Sequence, residues 1–369
     1  MLMLRWAPWR SILLVTAVCG SVLIWMFTAS AETPGWELAN PIVPLPAPPL
    51  GIDSKLADLK EPPTPHRVRL GRWLFFDQRL STDSTVSCAS CHRPELAFSE
   101  SSAVSTGIRG QKGLRKAPSL VNQAWTLYPH FFWDGRAGSL EAQALGPIAN
   151  PIEMGNSHEQ MLETLRRAGY GEYFEQVFGT DQITKERVAR AIADYERTRM
   201  SGNSPWDRWR TKRDEGAVST DVKKGHNLFF GKAGCNQCHL GQNFTDSTFH
   251  NLGVGWNPKT RTFADQGRHL ATTQEKDRGA FKTPTLREVS LHAPFMHDGS
   301  VKSLREVIEL YNRGGVANPD LDPKVQPLNL GPHEIDALVK FLEALAGEGY
   351  QDSAPKAFPG RAAATEGRR

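Results

Sequence analysis

Cys88-Ala89-Ser90-Cys91-His92 and Cys235-Asn236-Gln237-Cys238-His239 are two copies of one pattern, C-x-x-C-H. In this pattern two thiols form thioethers to a single haem, while the histidine that follows ligates the iron. A zinc or thiol-redox site is the alternative for a single C-x-x-C pair. Because a histidine follows both pairs directly, the motifs predict two covalently bound c-type haems.

The sequence around the two motifs repeats as well. Leu74-Phe75-Phe76 precedes the first motif, and Leu228-Phe229-Phe230 precedes the second. Behind the motifs, Phe98-Ser99-Glu100 corresponds to Phe244-Thr245-Asp246. Self-similarity of this kind indicates that a structural unit has been duplicated.

Helix signals are clear in both halves, and long strands are hard to find. Thr64 precedes a proline in the way that N-caps do, and Ser303 opens a helix whose apolar face includes Tyr311. We therefore predict a mainly α fold of two cytochrome-c-like haem domains in tandem, with long connecting loops. The N-terminal domain is expected over residues 64–212 and the C-terminal domain over residues 213–349.

The first 31 residues predict export. Arg5 and Arg10 precede an apolar run over residues 12–27, and Ala29-Ser30-Ala31 then resembles a secretory cleavage site. The run is long for a signal core and approaches the length that spans a bilayer, so a membrane anchor is the alternative. We expect a periplasmic protein that contacts the membrane only if residues 1–31 stay attached.

Composition narrows the class of protein further. A chain of 369 residues with 39% hydrophobic content can bury the cores of two globular domains. Its net charge of +4 is small for this length and predicts no nucleic-acid partner. The proline-rich residues 32–63 predict an extended linker or a strap lying on the surface, and residues 350–369 predict a disordered tail.

Longer stretches in both halves carry a family resemblance. They are Leu74-Phe75-Phe76-Asp77, Phe132-Trp133-Asp134-Gly135-Arg136-Ala137, Gly146-Pro147-Ile148, Thr283-Pro284-Thr285-Leu286-Arg287 and Met296-His297-Asp298-Gly299. Over about residues 66 to 346 the chain resembles the bacterial di-haem cytochrome c peroxidases and their MauG-type relatives, which mature another enzyme's tryptophan cofactor. The resemblance implies that the first haem binds peroxide and that the second haem stores or relays electrons.

The loop after the first motif bears on how open the first haem is. Family members that need reductive activation carry a displaceable distal histidine in this loop. Here the loop reads Thr106-Gly107-Ile108-Arg109-Gly110 and contains no histidine. The resemblance therefore implies a first haem that is five-coordinate or holds only water, as in MauG-type enzymes.

The same resemblance assigns residues to the peroxide pocket. Gln143, Pro147 and Glu153 match the distal positions, and Glu153 is the candidate acid/base that moves a proton between the peroxide oxygens. Trp133 matches an aromatic residue that lies between the haems and can divide one long electron transfer into two. The alternatives are a solvated surface position for Glu153 and plain core packing for Trp133.

For the second haem the resemblance points to Tyr311 as the sixth ligand, where ordinary peroxidases have a methionine. A phenolate stabilises oxidised iron, whereas a thioether favours reduced iron. The alternative is a buried tyrosine whose hydroxyl bonds to another acceptor. His297 matches a family residue that contacts a haem propionate.

Two positions depart from the family pattern. Relatives hold calcium between the haems with an asparagine side chain and two backbone carbonyls, but the asparagine position is Lys116 here. We expect weak or absent calcium, with the lysine ammonium meeting the carbonyls of His292 and Pro294, or else pointing to solvent while other oxygens hold the ion. MauG proper has a tryptophan where this chain has Ala233, which argues against the same protein substrate.

Together these features predict a di-haem enzyme that reduces hydrogen peroxide. Its electrons would come from a small cytochrome or a copper protein. One alternative is a MauG-type maturase that oxidises a side chain of a protein substrate. Another is a non-enzymatic electron-transfer cytochrome, but an open first haem argues against a carrier, which usually keeps both axial positions filled.

Overall fold

The chain folds into α-helices joined by long loops, with very short strands. The computed structural model describes residues 33–53, 55–125 and 130–360. The helices within these residues are α1 Gly35–Leu38, α2 Pro65–Phe76, α3 Cys88–Cys91, α4 Leu140–Ala149, α5 His158–Arg167, α6 Gly171–Phe178, α7 Lys185–Arg197, α8 Pro205–Lys212, α9 Thr220–Phe230, α10 His269–Thr272, α11 Leu304–Asn312 and α12 Pro332–Glu343. The strands are β1 Phe249–Asn251, β2 Trp256–Asn257, β3 Thr262–Phe263 and β4 Ala280–Lys282. They form two antiparallel pairs, β1 with β4 and β2 with β3.

Hydroxyl side chains cap the N-termini of helices that the sequence predicts. Thr64 Oγ1 accepts a hydrogen bond from the backbone N–H of Arg67 at 3.3 Å. Ser303 Oγ accepts one from the N–H of Glu306 at 3.2 Å, at the start of α11. Each cap satisfies an amide that would otherwise lack a partner in the first helical turn. The predicted helix starts at Thr64 and Ser303 are confirmed.

Two helix pairs pack through the same glycine contact. A Cβ atom at Gly71 of α2 would lie 1.8 Å from the carbonyl oxygen of Ala191 in α7. A Cβ atom at Gly225 of α9 would lie 2.0 Å from the carbonyl oxygen of Ala337 in α12. Only glycine permits this close approach of two helix backbones. The sequence repeat thus extends to the way that the helices pack.

The helix pairs α2–α7 and α9–α12 also make matching contacts one helical turn further along. A Cβ atom at the first glycine would lie 2.9 Å from the Cβ of Tyr195, and one at the second would lie 2.7 Å from the Cβ of Phe341. Tyr195 and Phe341 each follow the contacted alanine by four residues, which is one helical turn. The two helix pairs can therefore be matched residue by residue.

Apolar side chains form two large clusters, one for each helix pair. The first includes Trp73 and Tyr195, and the second includes Phe229 and Phe341. The first cluster also takes in Tyr350 from the end of the chain. The described residues from Gly35 onward belong to one compact unit. The domain boundary at residues 212 and 213 therefore stays a prediction.

The proline-rich residues lie against the helices as a strap. Ile52 and Leu56 are buried. The carbonyl oxygen of Leu50 accepts a hydrogen bond from the N–H of Asn203 at 2.7 Å. Asp53 N–H donates to the side chain of Gln242 at 2.8 Å, far along the sequence.

The predicted disordered tail, residues 350–369, is wrong for residues 350–360. The Asp352 carboxylate pairs with Arg72 at 2.9 Å and with Arg199 at 3.2 Å. These contacts fix the end of the chain against α2 and the end of α7. The composition of the segment did not reveal them, because the two arginines lie far away in sequence.

The export segment predicted for residues 1–31 lies outside the described residues. Within the residues that are described, no helix is long and apolar enough to cross a bilayer. Cleavage or retention of the segment therefore stays a prediction.

Candidate active site

The first C-x-x-C-H motif forms the short helix α3 and ends on His92. The Nδ1 of His92 donates a hydrogen bond to the carbonyl oxygen of Phe98 at 3.0 Å. Because a carbonyl can only accept, the proton sits on Nδ1 and the lone pair of Nε2 is available to a metal. Cys88 and Cys91 are free, half-buried thiols one turn of helix before this imidazole.

The second motif holds its histidine in the same manner. The Nδ1 of His239 donates to the carbonyl oxygen of Phe244 at 2.9 Å. Cys235 and Cys238 are again free and half-buried. Phe98 and Phe244 both adopt a positive φ, 58° and 50°, which turns each carbonyl back toward its histidine. Both motifs present the donor set of a c-type haem.

A cavity of about 650 Å³ opens in front of the first motif. Cys88, Cys91 and His92 line it together. Its volume lies in the usual range of cofactor and ligand cavities, roughly 300–1,000 Å³. Two thiols and one available imidazole nitrogen on a cavity of this size fit covalent attachment of a haem.

The residues assigned to the peroxide pocket line this same cavity. They are Trp133, Gln143, Pro147 and Glu153. Helix α4 carries Gln143 and Pro147, and Glu153 follows the end of that helix. The structure therefore brings together four residues that the sequence analysis had named from separate motifs.

Glu153 is half-buried on the cavity wall. Burial raises the pKa of its carboxyl, although Arg136 and a hydrogen bond from Asn150 act in the opposite direction. The Nδ2 of Asn150 donates to Glu153 Oε1 at 2.8 Å. A carboxyl with a raised pKa and one oxygen held by a hydrogen bond is suited to accept and return a proton.

The loop without a histidine packs directly beside Glu153. The N–H of Ile108 donates to the carbonyl oxygen of Glu153 at 2.9 Å. A Cβ atom at Gly107 would lie 1.9 Å from the carbonyl oxygen of Ile152, so glycine is needed there. The loop is thus part of the cavity wall.

Trp133 is fixed by hydrogen bonds on both sides. Its indole Nε1 donates to the carbonyl oxygen of Lys116 at 2.8 Å, and its own carbonyl accepts from the N–H of Lys282 at 2.8 Å. Lys116 N–H in turn donates to the carbonyl of His297 at 2.7 Å. These bonds join segments from both halves of the chain around one indole.

The Lys116 ammonium does not reach the carbonyls that the sequence analysis expected. It donates instead to the carbonyl oxygen of Glu100, and among the described residues no hydrogen bond links it to the carbonyls of His292 or Pro294. Burial lowers the pKa of this lysine to about 8. Glu100 lies shortly after the first haem motif. The carbonyl that accepts the hydrogen bond from Lys116 therefore belongs to the N-terminal half of the chain.

His292 is a cavity residue whose side chain the sequence analysis missed. It is buried, lines the cavity, and its Nε2 has no hydrogen-bond partner among the described residues. Burial, and next the charge of Lys116, lower its pKa to about 3, so it faces the cavity as a neutral imidazole. The family resemblance had assigned a role only to the backbone carbonyl of His292, not to its imidazole.

Two further ionisable residues on the cavity wall were also missed. Lys282 lines the cavity and donates its ammonium to the carbonyl oxygen of His130 at 3.0 Å. Glu196 lines it from the end of α7. Neither residue belongs to a short motif, so only the folded chain reveals that they face the first motif.

Tyr311 and His297 lie toward the second motif and the interface between the halves. Burial raises the pKa of the Tyr311 hydroxyl, and the nearby Cys235 and Cys238 add to the shift. His297 is buried and stacks on Phe281 with ring centroids 3.6 Å apart. Tyr311 is therefore close to the second pair of thiols.

Comparison with known proteins agrees with this geometry. The family model of the di-haem cytochrome c peroxidases, MauG included, matches residues 65–215. The methylamine utilization protein MauG of Methylorubrum extorquens is 41% identical over 289 residues, 78% of this chain and 80% of the relative. The chain belongs to the di-haem cytochrome c peroxidase family. It is a peroxidase-type oxidoreductase of the MauG-like branch, and haem c is the family's cofactor.

Relatives named as peroxidases are also similar along most of the chain. Cytochrome-c peroxidase IdrP1 of Denitromonas iodatirespirans is 35% identical over 91% of this chain and 92% of the relative. Cytochrome c551 peroxidase of Nitrosomonas europaea is 36% identical, with coverages of 76% and 80%. A solved MauG-like protein associated with microbial copper homeostasis is 29% identical and superposes with a TM-score of 0.71, over 87% of this chain and 98% of that one.

Proposed function

We propose that this enzyme is exported to the periplasm and reduces hydrogen peroxide at a haem attached to Cys88 and Cys91. Electrons would arrive from a small cytochrome or a copper protein through a second haem attached to Cys235 and Cys238. One observation carries this proposal: the first pair of thiols shares a single cavity with Glu153 and the other predicted pocket residues.

Residues of the protein would move the proton from one peroxide oxygen to the other. A haem held by His92 supplies an iron that binds peroxide and accepts the electrons needed to reduce it. Glu153 takes a proton from the inner peroxide oxygen and returns it to the outer one, so that the leaving group is water rather than hydroxide. The hydrogen bond from Asn150 holds the carboxyl in place for both transfers.

Trp133 would serve as the intermediate site for electrons. Its indole is held between the Lys116 carbonyl and the backbone of Lys282, which belong to the two halves of the chain. A fixed aromatic ring between two redox centres divides one long transfer into two shorter transfers. Its orientation is set by backbone groups, so side-chain motion does not interrupt the path.

Tyr311 would hold the second iron through its phenolate. Its proximity to Cys235 and Cys238 supports this assignment. Because burial disfavours the free phenolate, ionisation of the hydroxyl would depend on coordination. An anionic oxygen ligand stabilises oxidised iron, which suits a pair of haems that share oxidising equivalents. His297 would support a propionate from its stacked position on Phe281.

Lys116 would replace the calcium ion of the family. Its ammonium is buried beside the Glu100 carbonyl, where a divalent cation would be repelled. Lysine offers no lone pair while it is charged, so the donor set does not fit calcium. We therefore propose that calcium is weakly bound or absent.

A protein-modifying activity is the second candidate, because the MauG relatives are as similar as the peroxidases. MauG proper uses a tryptophan near the second motif, but Ala233 takes that position here and is buried. Substrates of a maturase would therefore need another contact on this chain.

Rapid mixing of the resting ferric protein with hydrogen peroxide tests the proposal. The haem absorption should change within the mixing experiment, and addition of a reduced small cytochrome should then restore the resting spectrum with turnover. A spectrum that peroxide leaves unchanged would contradict the proposal and favour an electron carrier. A peroxide reaction followed by indifference to all small donors would favour the maturase.

A further inference from the structure

Glu196 is a buried carboxyl that the peroxide chemistry described above does not use. It lies at the end of α7 with 3% of its surface exposed. Its Oε2 has no hydrogen-bond partner among the described residues, and its side chain lines the same cavity as Glu153. A carboxyl oxygen without a partner is costly to bury, so the presence of Glu196 needs a reason other than packing.

The internal repeat shows that the fold itself does not require a carboxyl here. Tyr195 and Phe341 occupy matching places in the two helix pairs, each against its glycine. The next residue is Glu196 in the first pair and Leu342 in the second. Leu342 is buried in the second apolar cluster, as expected for this position. Only the half with the large cavity has a glutamate at this point.

Burial favours the neutral form of Glu196 over the charged form. Burial is the largest cause and raises its pKa to about 8; Arg197 opposes the shift and Glu141 of α4 adds to it. Arg197 and Glu141 form a partly exposed pair at 2.7 Å. Asp194 lies two residues earlier, so it does not share a helix face with Glu196. Cys88 of α3 is close to Glu196, and Arg67 of α2 pairs with Asp194.

We propose that Glu196 is a second proton-carrying carboxyl of the peroxide cavity and that it supplies one of the protons consumed there. This role rests on the proposed function. Reduction of hydrogen peroxide breaks the oxygen–oxygen bond and needs two electrons and two protons to form two waters. Glu153 only moves a proton from one peroxide oxygen to the other. The two added protons must come from solvent. Glu196 lines the cavity, and its charged neighbours Arg197 and Glu141 are partly exposed.

Glu196→Gln and Glu196→Leu test this role, because the second half of the chain already tolerates leucine at the matching position. Both variants should fold, retain two haems and unfold at the same or a higher temperature, since a buried carboxyl with an unpartnered oxygen has been removed. Turnover with peroxide should fall by about 10²-fold, the lower end of the range expected for loss of a proton-transfer group. Glu196→Asp should recover part of the rate, and Glu163→Gln on the exposed face of α5 is the matched control.

The pH profile and an infrared measurement separate proton carriage from a structural effect. Wild-type turnover should decline as the pH rises through about 8, where Glu196 loses its proton, and the glutamine variant should lack that decline. Infrared spectra of the ferric protein at neutral pH should show a protonated-carboxyl band that disappears in Glu196→Gln and persists in Glu163→Gln.

Distinct outcomes would overturn this inference and the proposed function. In one outcome, the wild-type protein reacts with peroxide while Glu196→Gln keeps the wild-type rate, pH profile and infrared spectrum. That result would show that Glu196 takes no part in the reaction, and it would leave the proposed function intact. A wild-type protein that does not react with peroxide would overturn the proposed function, and the role of Glu196 with it.

Discussion

The two motif regions hold their histidines alike but surround them differently. In both, the histidine Nδ1 donates to a phenylalanine carbonyl, and a glycine contact locks the helix pair behind it. The first region opens on a cavity with several ionisable residues, whereas the second places a tyrosine beside its thiols. The duplicated scaffold therefore accounts for the donor set that the two motifs share, and we attribute their proposed difference in chemistry to the residues that differ between the copies.

Removing one motif at a time should give the largest effect. Cys88→Ser/Cys91→Ser should lose one haem of two and all reaction with peroxide. Cys235→Ser/Cys238→Ser should also lose one haem, but its ferric form should still react with peroxide while turnover with a reduced cytochrome stops. Haem stoichiometry and stopped-flow absorption measure both. Equal loss of the peroxide reaction in the two variants would show that the regions do not have separate roles.

Glu153→Gln should have the next largest effect. The peroxide reaction should slow by about 10²–10⁴-fold, because a glutamine cannot accept the proton. The wild-type rate should fall as the pH drops through the raised pKa of this carboxyl, and the variant should not show this decrease. Both haems should remain bound. Wild-type kinetics in the variant would exclude Glu153 as the acid/base.

Tyr311→Met should make the second region resemble that of an ordinary peroxidase. A thioether in place of the phenolate should raise the reduction potential of the second haem and change its absorption, with the first haem unaffected. Tyr173→Phe, in the other apolar cluster, is the control. If potential and spectrum match those of the wild type, Tyr311 is not a ligand.

Gly71→Ala and Gly225→Ala test whether the two helix pairs are equivalent. An added Cβ would clash with the facing carbonyl in each, so both should destabilise the fold by about 2 kcal/mol in thermal unfolding. Gly138→Ala should change stability little, since nothing lies within 4 Å of its added Cβ. A cost in one pair only would show that the repeat does not extend to packing.

Lys116→Asn should have the smallest effect at neutral pH and should sharpen the difference from relatives. Wild-type activity and haem spectra should not respond to a calcium chelator, whereas the asparagine variant should bind calcium and become sensitive to it. Calcium content by elemental analysis provides the check. Stoichiometric calcium in the wild type would refute the replacement.

The sequence predicted the parts of the site that short motifs encode. Cys88, Cys91 and His92 follow from local spacing. The family resemblance assigned Glu153 to the peroxide pocket, and the structure places it on the cavity wall. The sequence did not predict contacts between distant segments. Asp352 binds arginines on α2 and after α7, and the Lys116 ammonium donates to the carbonyl of Glu100. Such contacts depend on tertiary packing, which no local pattern records.

Electron paramagnetic resonance of the untreated ferric protein tests the central claim most directly. We expect one high-spin haem, open at the first motif, and one low-spin haem with a tyrosinate ligand at the second. Two low-spin haems, each capped by nitrogen or sulfur, would contradict it. If the first haem were low-spin in the wild type and high-spin in His292→Ala, the neutral imidazole on the cavity wall would be the ligand that closes it.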